Sequence, residues 1–567
     1  MWRIIFLILV STILILLSAE PPPPSKPKII TRGEWGAKPP KCQYRKNPYI
    51  NAITIHHTAT SNTYTDAKAV IRNIQNYHQE SKGWCDIGYH FLIDKEGVIY
   101  EGRPVWAIGA HVKNHNTGNV GISVIGNYEE VDINEKQLKA LVDLVSWLVY
   151  EYKVPLGNIK GHRDYSNTLC PGKFLYARLP EIRRRVGARV YGFGEYFGIG
   201  VWWGIYSDYW SSNRSEWEKQ VEKTLAFLKD LGVDTVFFLV KDPWGYVYYN
   251  SSLAPLNPKY SWDPLKVIIE KARKYNISVH VYLNVFAEGG GSKPSQFLEQ
   301  HLDWALRDEN GNPIGWVDPS VKEYRDYVLK IIEEILDKYN VDGIQLDRIR
   351  VPSTAGRFPV SEKLFKENQM GAKSIYEFVK LQIDDFVKEV YNLVKKKKPG
   401  VRVSAAVIAN PETALENLCQ DWGRWIREQF IDFVVPMSYT DDIDRFKQYV
   451  SKAIEASNKT RPVYMGIGVY LAPSAQLFGE ELKYLKNIDG IYGAVLFNVD
   501  TLVKNKELWK GLKDYINIVK TPSTGVKEIE KTTSRETWRG GIVLIGFAAL
   551  LLLIIIPLGY KLAKAFS

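Results

Sequence analysis

Eight short apolar runs, rich in β-branched and aromatic residues, follow one another through the later part of the chain. They lie at 197–203, 235–240, 279–285, 343–346, 401–407, 433–437, 463–469 and 492–497. Between them are stretches with apolar residues three and four apart, among them 216–231, 264–275, 322–339, 375–398 and 443–455. Runs of this length and composition read as buried strands, and the spacers as helices with one apolar face. A strand–helix pair repeated eight times over about 330 residues predicts a (β/α)8 TIM barrel spanning 190–518, because parallel strands require crossovers and eight such units close on themselves. No repeat of shorter period competes with that reading.

Barrels of this kind carry their chemistry at the C-terminal ends of the strands. The residues there are Lys241 and Asp242, Asn284 and Glu288, Asp347 with Arg348 and Arg350, Tyr439 with Asp441 and Asp442, and Asp500. Two carboxylates flanking a bond are what glycoside hydrolysis needs. Trp202, Trp203, Trp244, Tyr246, Trp316 and Tyr439 lie near the same ends and either stack on sugar rings or pack the core. The run Asp342-Gly343-Ile344-Gln345-Leu346-Asp347-Arg348-Ile349-Arg350-Val351-Pro352, with Trp316-Val317-Asp318-Pro319 before it and Val435-Pro436-Met437-Ser438-Tyr439 after it, resembles the glycosyl-hydrolase-like barrels. Some of these act on peptide-stripped bacterial wall glycan, and the likeness covers about 190–515. It implies Asp347 as one catalytic carboxylate, with Glu288 and Asp441 as competing partners. Relatives often place a second acid or an aromatic where this chain has Arg348. The alternative is a barrel that binds glycan without cutting it.

The earlier part of the chain has a different focus. Lys160 to Lys173 places His162 and Cys170 eight positions apart beside a Pro-Gly turn, and His56 in Thr54-Ile55-His56-His57-Thr58 is the natural third member. Imidazole and thiolate are donors that Zn²⁺ prefers, and a catalytic zinc takes three protein ligands with one position left for water. Around this trio the pattern predicts a strand at 51–57, a helix at 66–77, a hairpin from 86–91 to 98–103 turning at 95–97, a strand at 118–128 and a helix at 134–152. That helix gathers Leu138, Leu141, Val142, Val145 and Leu148 on one face. The expected fold is a mixed sheet with helices packed on it, over 29–188. Seven of the nine histidines fall here: His56, His57, His78, His90, His111, His115 and His162.

Ile-His-His-Thr-Ala, Gly-Tyr-His-Phe, Tyr-Glu-Gly-Arg and Gly-His-Arg-Asp with Cys-Pro occur together. With them the segment from Ile30 to Val186 resembles the zinc N-acetylmuramoyl-L-alanine amidases, the fold shared with peptidoglycan recognition proteins. The resemblance implies His56, His162 and Cys170 as zinc ligands, Tyr89 as a hydroxyl donor to the oxyanion, and Thr168 in a supporting hydrogen bond. It also implies a disulfide between Cys42 and Cys85, the alternative being two buried thiols. Cys419 is left over as a small buried hydrophobe. His57 should point away from His56, because strand residues alternate faces. His111 falls either in the substrate groove or on ordinary surface.

The two ends read as targeting segments. Residues 1–19, with Arg3 before an apolar run, are a signal peptide or short anchor, and 20–28 form a Pro-rich spacer. Residues 519–538 read as a flexible linker, and 541–560 as an apolar stretch long enough for a transmembrane helix. Lys561 and Lys564 mark 561–567 as a cytoplasmic tail, which puts both domains outside. The net charge of +11 favours an anionic partner. A nucleic acid is not that partner, since no binding motif occurs and the lysines are dispersed along helices. The expected molecule is a membrane-anchored, bifunctional peptidoglycan hydrolase of α/β class. The alternatives are a non-hydrolytic receptor for wall fragments, and an active amidase joined to a carbohydrate-binding barrel.

Overall fold

The structure, a computed structural model, describes residues 24–191, 197–205, 207–290, 293–471, 475–486 and 488–520. The expected signal or anchor, the transmembrane stretch and the cytoplasmic tail lie outside these residues, as does all of the expected linker beyond 520. No helix among the described residues is long and apolar enough to cross a membrane.

The first domain is built on six strands: β1 (Ile29–Ile30), β2 (Ala52–His57), β3 (Phe91–Ile93), β4 (Ile99–Glu101), β5 (Asn119–Val124) and β6 (Ile159–Gly161). They form one mixed sheet in the order β1-β4-β3-β5-β2-β6. β2 runs parallel to both β5 and β6, which puts His56 at the end of a central strand buried on both faces. The helix Glu135–Tyr152 covers the sheet with the apolar face read from its spacing, and Asn134 caps it by accepting from the Gln137 amide at 2.9 Å. The hairpin forms, but its first strand begins at Phe91 rather than Asp86. The physical reason is Arg103. Its buried guanidinium donates to the carbonyls of Ile87 (2.6 Å), Asp86 (3.1 Å) and Ile108 (2.9 Å), which holds Asp86–His90 in a loop instead of a ladder. Cys42 and Cys85 are joined in a disulfide, and Cys419 is a buried free thiol.

The second domain is a closed barrel of eight parallel strands: β7 (Gly198–Trp203), β8 (Thr235–Lys241), β9 (Ser278–Asn284), β10 (Gly343–Asp347), β11 (Arg402–Ile408), β12 (Phe433–Met437), β13 (Val463–Ile467) and β14 (Ile491–Phe497). Each expected run is a strand, with ends moved by two residues at most. Two small hairpins between β9 and β10 were not legible: Gly289–Gly290 with Lys293–Pro294, and Ala305–Arg307 with Pro313–Val317. Strands of two to five residues leave no periodic signal. The last helix, Lys506–Lys520, runs two residues into the expected linker.

The two domains are packed together through a continuous apolar core. The helix Leu179–Tyr191 of the first domain lies against the start of β14. There Tyr492 donates its hydroxyl to the Arg183 carbonyl at 3.2 Å, and Arg183 pairs with Asp489. Gly157 abuts the backbone oxygen of Asn458, ahead of β13. All these barrel residues belong to the N-terminal rim. The strand ends that carry Asp347 and Tyr439 therefore open at the opposite end, about 20 Å away for a seven-residue strand.

Candidate functional site

His56, His162 and Cys170 come together from three elements. His56 is the last residue but one of β2, and His162 opens a 3-10 turn after β6 that Asp164 closes by accepting from the Gly161 amide at 2.8 Å. Cys170 ends a loop folded back on that turn, where the Arg163 amide donates to the Cys170 carbonyl at 3.0 Å. The loop requires a glycine after Cys170-Pro171. Gly172 has φ +91°, and a Cβ there would lie 2.2 Å from the Tyr128 carbonyl carbon. One donor atom from each of the three residues lies within 4.8 Å of the others, the size of a set closing on one cation. Among the described residues this is the only such group of three or more.

The chemistry of the donors fits a metal ion. His56 Nδ1 lies 3.6 Å from the Cys170 sulfur, and its Nε2 lies 3.0 Å from His111 Nδ1. His111 Nε2 in turn lies 3.1 Å from the Asn119 carbonyl, which can only accept, so this nitrogen carries the proton. His111 Nδ1 is then the acceptor, and His56 Nε2 must donate to it. That turns the His56 Nδ1 lone pair toward the Cys170 thiol, on the side of the other two donors. Burial holds His56 well below the ordinary histidine range, with His111 and His162 adding to the effect, and burial also lowers His162. The same burial pushes the Cys170 thiol up to about 12. Two neutral imidazoles with a thiol that ionises only against a cation make a site of the kind zinc occupies.

His111 is therefore neither groove nor surface but the group behind His56. The signal that could have found it is the pair of glycines around it, since a Cβ on Gly109 or Gly121 would come within 2.5 Å of its ring. Replacing His111 with alanine should weaken metal binding about 10–100-fold, the usual cost of losing an outer-sphere partner. Competition against a chromophoric chelator, alongside a thermal melt, measures this. Unchanged affinity would mean that His56 holds its tautomer without His111.

Tyr89 sits beside the trio, its ring centroid 5.2 Å from that of His56, on the loop that Arg103 pins. Burial raises its pKa, so the hydroxyl keeps its proton. Thr168 accepts from the Cys170 amide at 3.2 Å and thus orders the ligand loop. His57 points to the other side of the sheet, where its Nδ1 accepts from the Tyr128 amide at 3.2 Å.

At the barrel mouth, Asp347 ends β10 half-buried, with its Oδ1 accepting from the Arg348 amide at 2.7 Å. Burial raises its pKa, against the opposing charges of Arg348 and Arg350. Tyr439 lies close enough for the Asp347 charge to raise the phenol further, after burial. Glu288 is placed differently. It is wholly buried, with Lys241 Nζ at 2.5 Å and the Tyr324 hydroxyl at 2.7 Å on one oxygen, and Ser295 at 3.3 Å on the other. Asp441 is exposed on the rim. The other acids at the strand ends are occupied structurally: Asp242 in a turn with Trp244, Tyr246 and Tyr248, Asp442 as a helix cap, and Asp500 against Trp210. Of the aromatics, Trp202, Trp203 and Trp316 are buried, Tyr246 and Tyr439 are half-buried, and Trp244 is exposed.

Two family models match the chain. N-acetylmuramoyl-L-alanine amidase covers residues 45–173 and Glycosyl hydrolase-like 10 covers residues 200–479, one in each domain. Peptidoglycan recognition protein 1 of Bos indicus is 39% identical over 152 residues, which is 26% of this chain and 80% of that protein. Peptidoglycan-recognition protein SC2 of Drosophila melanogaster is 40% identical over 151 residues, 26% of this chain and 82% of that protein. Human peptidoglycan recognition protein 3 is 40% identical over 152 residues, 26% of this chain and 45% of that protein. Through its first domain the chain thus belongs to the peptidoglycan recognition protein and N-acetylmuramoyl-L-alanine amidase family, and it carries a glycosyl hydrolase-like barrel behind that domain.

Proposed function

We propose that the protein is a zinc-dependent N-acetylmuramoyl-L-alanine amidase and glycan-cutting barrel in one chain, which strips stem peptides from peptidoglycan and then cleaves the bared strand. The observation that carries the amidase reading is the preset His56 tautomer within the His56, His162 and Cys170 group. These three residues would hold Zn²⁺, which when bound supplies a Lewis acid for the scissile amide and a charge that activates water. The protonated Tyr89 hydroxyl donates to the developing oxyanion, and Thr168 keeps the Cys170 loop in register. In the barrel, Asp347 acts as acid with its pKa held up by burial, and Asp441 is the partner open to solvent. Glu288 holds the loop after β9 through its ion pair. The first domain docks on the N-terminal rim of the barrel, away from the strand end that carries Asp347, so a stripped strand leaves one site before it enters the other.

Digestion of purified peptidoglycan by the full chain, followed separately for free stem peptides and new reducing ends, tests this reading. Both products are expected. Peptide release without reducing ends, even on peptide-free glycan, would leave an active amidase with a glycan-binding barrel. The exposed Trp244 and the closed Glu288 favour that second reading. Tight binding with neither product would make the chain a receptor.

The apolar stretch at 541–560 further supports a single-pass anchor with both domains outside the cytoplasm. After carbonate extraction of membranes, the full chain is expected in the pellet and a chain ending at residue 520 in the wash. Recovery of both in the wash would remove the anchor.

A further inference from the structure

Arg348 and Arg350 follow Asp347 at the barrel mouth, and both guanidiniums lie over one indole, 5.8 Å and 5.2 Å from the Trp316 ring centroid. That tryptophan comes from the Pro313–Val317 strand of an added hairpin, which bridges back to Ala287 beside β9. Arg348 holds a left-handed backbone, φ +50°, a conformation that strains a residue other than glycine. The loop is rigid as well. Buried Gln420 donates to the Ile349 carbonyl at 3.2 Å and accepts from the Ile408 amide at 2.9 Å, while the Val351 amide donates to the Leu418 carbonyl at 3.1 Å.

Two half-buried guanidiniums on one ring repel each other, yet among the described residues neither forms an ion pair. Arg350 donates only to the Val351 carbonyl, at 3.2 Å, and burial lowers its pKa. Asp347, whose charge acts on both, already accepts from the Arg348 amide. A fixed pair of like charges at the barrel mouth, with a strained residue presenting one of them, suits an anion.

The reaction proposed for the first domain makes such an anion. Water adds across the amide between the lactyl group and the stem peptide, the C–N bond breaks, and the sugar keeps a carboxylate while the peptide leaves with an amine. Before that cut the lactyl group is a neutral amide. We infer that Arg348 and Arg350 form a carboxylate clamp for the bared lactyl group of muramic acid, which makes the barrel selective for glycan already stripped of peptide. This rests on the proposed glycan-cutting function for its biological meaning, but the clamp is a binding site that can be tested without turnover.

The ligands are a peptide-free tetrasaccharide of alternating N-acetylglucosamine and N-acetylmuramic acid, and the same molecule with its lactyl carboxylates converted to methylamides. Calorimetry on the full chain carrying Asp347→Asn, so that nothing is cut, should show the free acid binding roughly ten- to a hundredfold tighter than the amide. Adding Arg348→Gln and Arg350→Gln should remove the difference. Equal affinity for acid and amide in the chain with both arginines would overturn the clamp, and that comparison needs no arginine variant to fold. Tighter binding of poly(glycerol phosphate) than of the free acid would overturn the assignment to a carboxylate. Absence of reducing ends from the tetrasaccharide with the wild-type chain counts against the glycosidase alone, since the acid–amide comparison still decides the clamp.

Discussion

Cys170→Ala is expected to abolish stem-peptide release from peptidoglycan while leaving the barrel able to cut glycan supplied free of peptide. The side chain belongs to a group of three donors within 4.8 Å, so its loss leaves two imidazoles, too few to define a catalytic zinc site. Loss of an outer-sphere partner such as His111 costs about 10–100-fold in affinity, and loss of a direct ligand should cost more than the upper end of that range. The substitution is small and the surrounding loop is held by backbone bonds, including Arg163 N–H to the Cys170 carbonyl at 3.0 Å. Folding should survive. The measurements are metal content by mass spectrometry and release of peptides by chromatography. A variant that keeps full peptide release would remove the metal from the reaction, and with it the amidase half of the proposal.

The second large effect is at the other end of the molecule. Asp347→Asn should lower the appearance of reducing ends by about 10²–10⁴, the range that positioned acid–base groups contribute, and leave peptide release unchanged. Asparagine keeps an oxygen for the Arg348 amide that Asp347 now accepts at 2.7 Å, so the loop keeps its shape and only the proton chemistry is lost. That peptide release does not need Asp347 follows from the docking of the domains. The first domain meets the N-terminal rim of the barrel at Asp489 and Tyr492, whereas Asp347 lies at the C-terminal mouth. Reducing ends that persist in Asp347→Asn would assign the acid elsewhere.

The strand ends show how residue inventory and placement differ. Read in a line, Asp242, Glu288, Asp347, Asp441, Asp442 and Asp500 are equivalent carboxylates. Folded, Asp242 and Asp442 accept from backbone amides, Asp500 accepts from Trp210, and Glu288 neutralises a lysine that is as buried as itself. An isolated buried charge is so costly that Lys241 and Glu288 have to find each other, and truncating either one should destabilise the barrel by about 3–5 kcal/mol. The chain spacing of 47 residues between them carries no hint of this. His111 makes the same point in the first domain. It bonds to His56 across 55 residues, and its role depends on which nitrogen donates its proton to the Asn119 carbonyl.

By itself the sequence determined the eight-strand barrel, the mixed sheet with its covering helix, and the identities of the three soft donors. These are local properties: strand and helix periods follow from backbone hydrogen bonding and the burial of one face, and donor chemistry belongs to the side chain. Only the tertiary structure decided the His56–His111 tautomer chain, the closure of Glu288 against Lys241, and the meeting of Arg348 and Arg350 over Trp316. It alone decided, too, that the first domain docks on the rim of the barrel opposite Asp347, through contacts such as Arg183 with Asp489, 306 residues apart. Such pairings depend on where chain closure brings distant residues and on the demand that each buried polar group find a partner, and neither leaves a mark on the residues nearby.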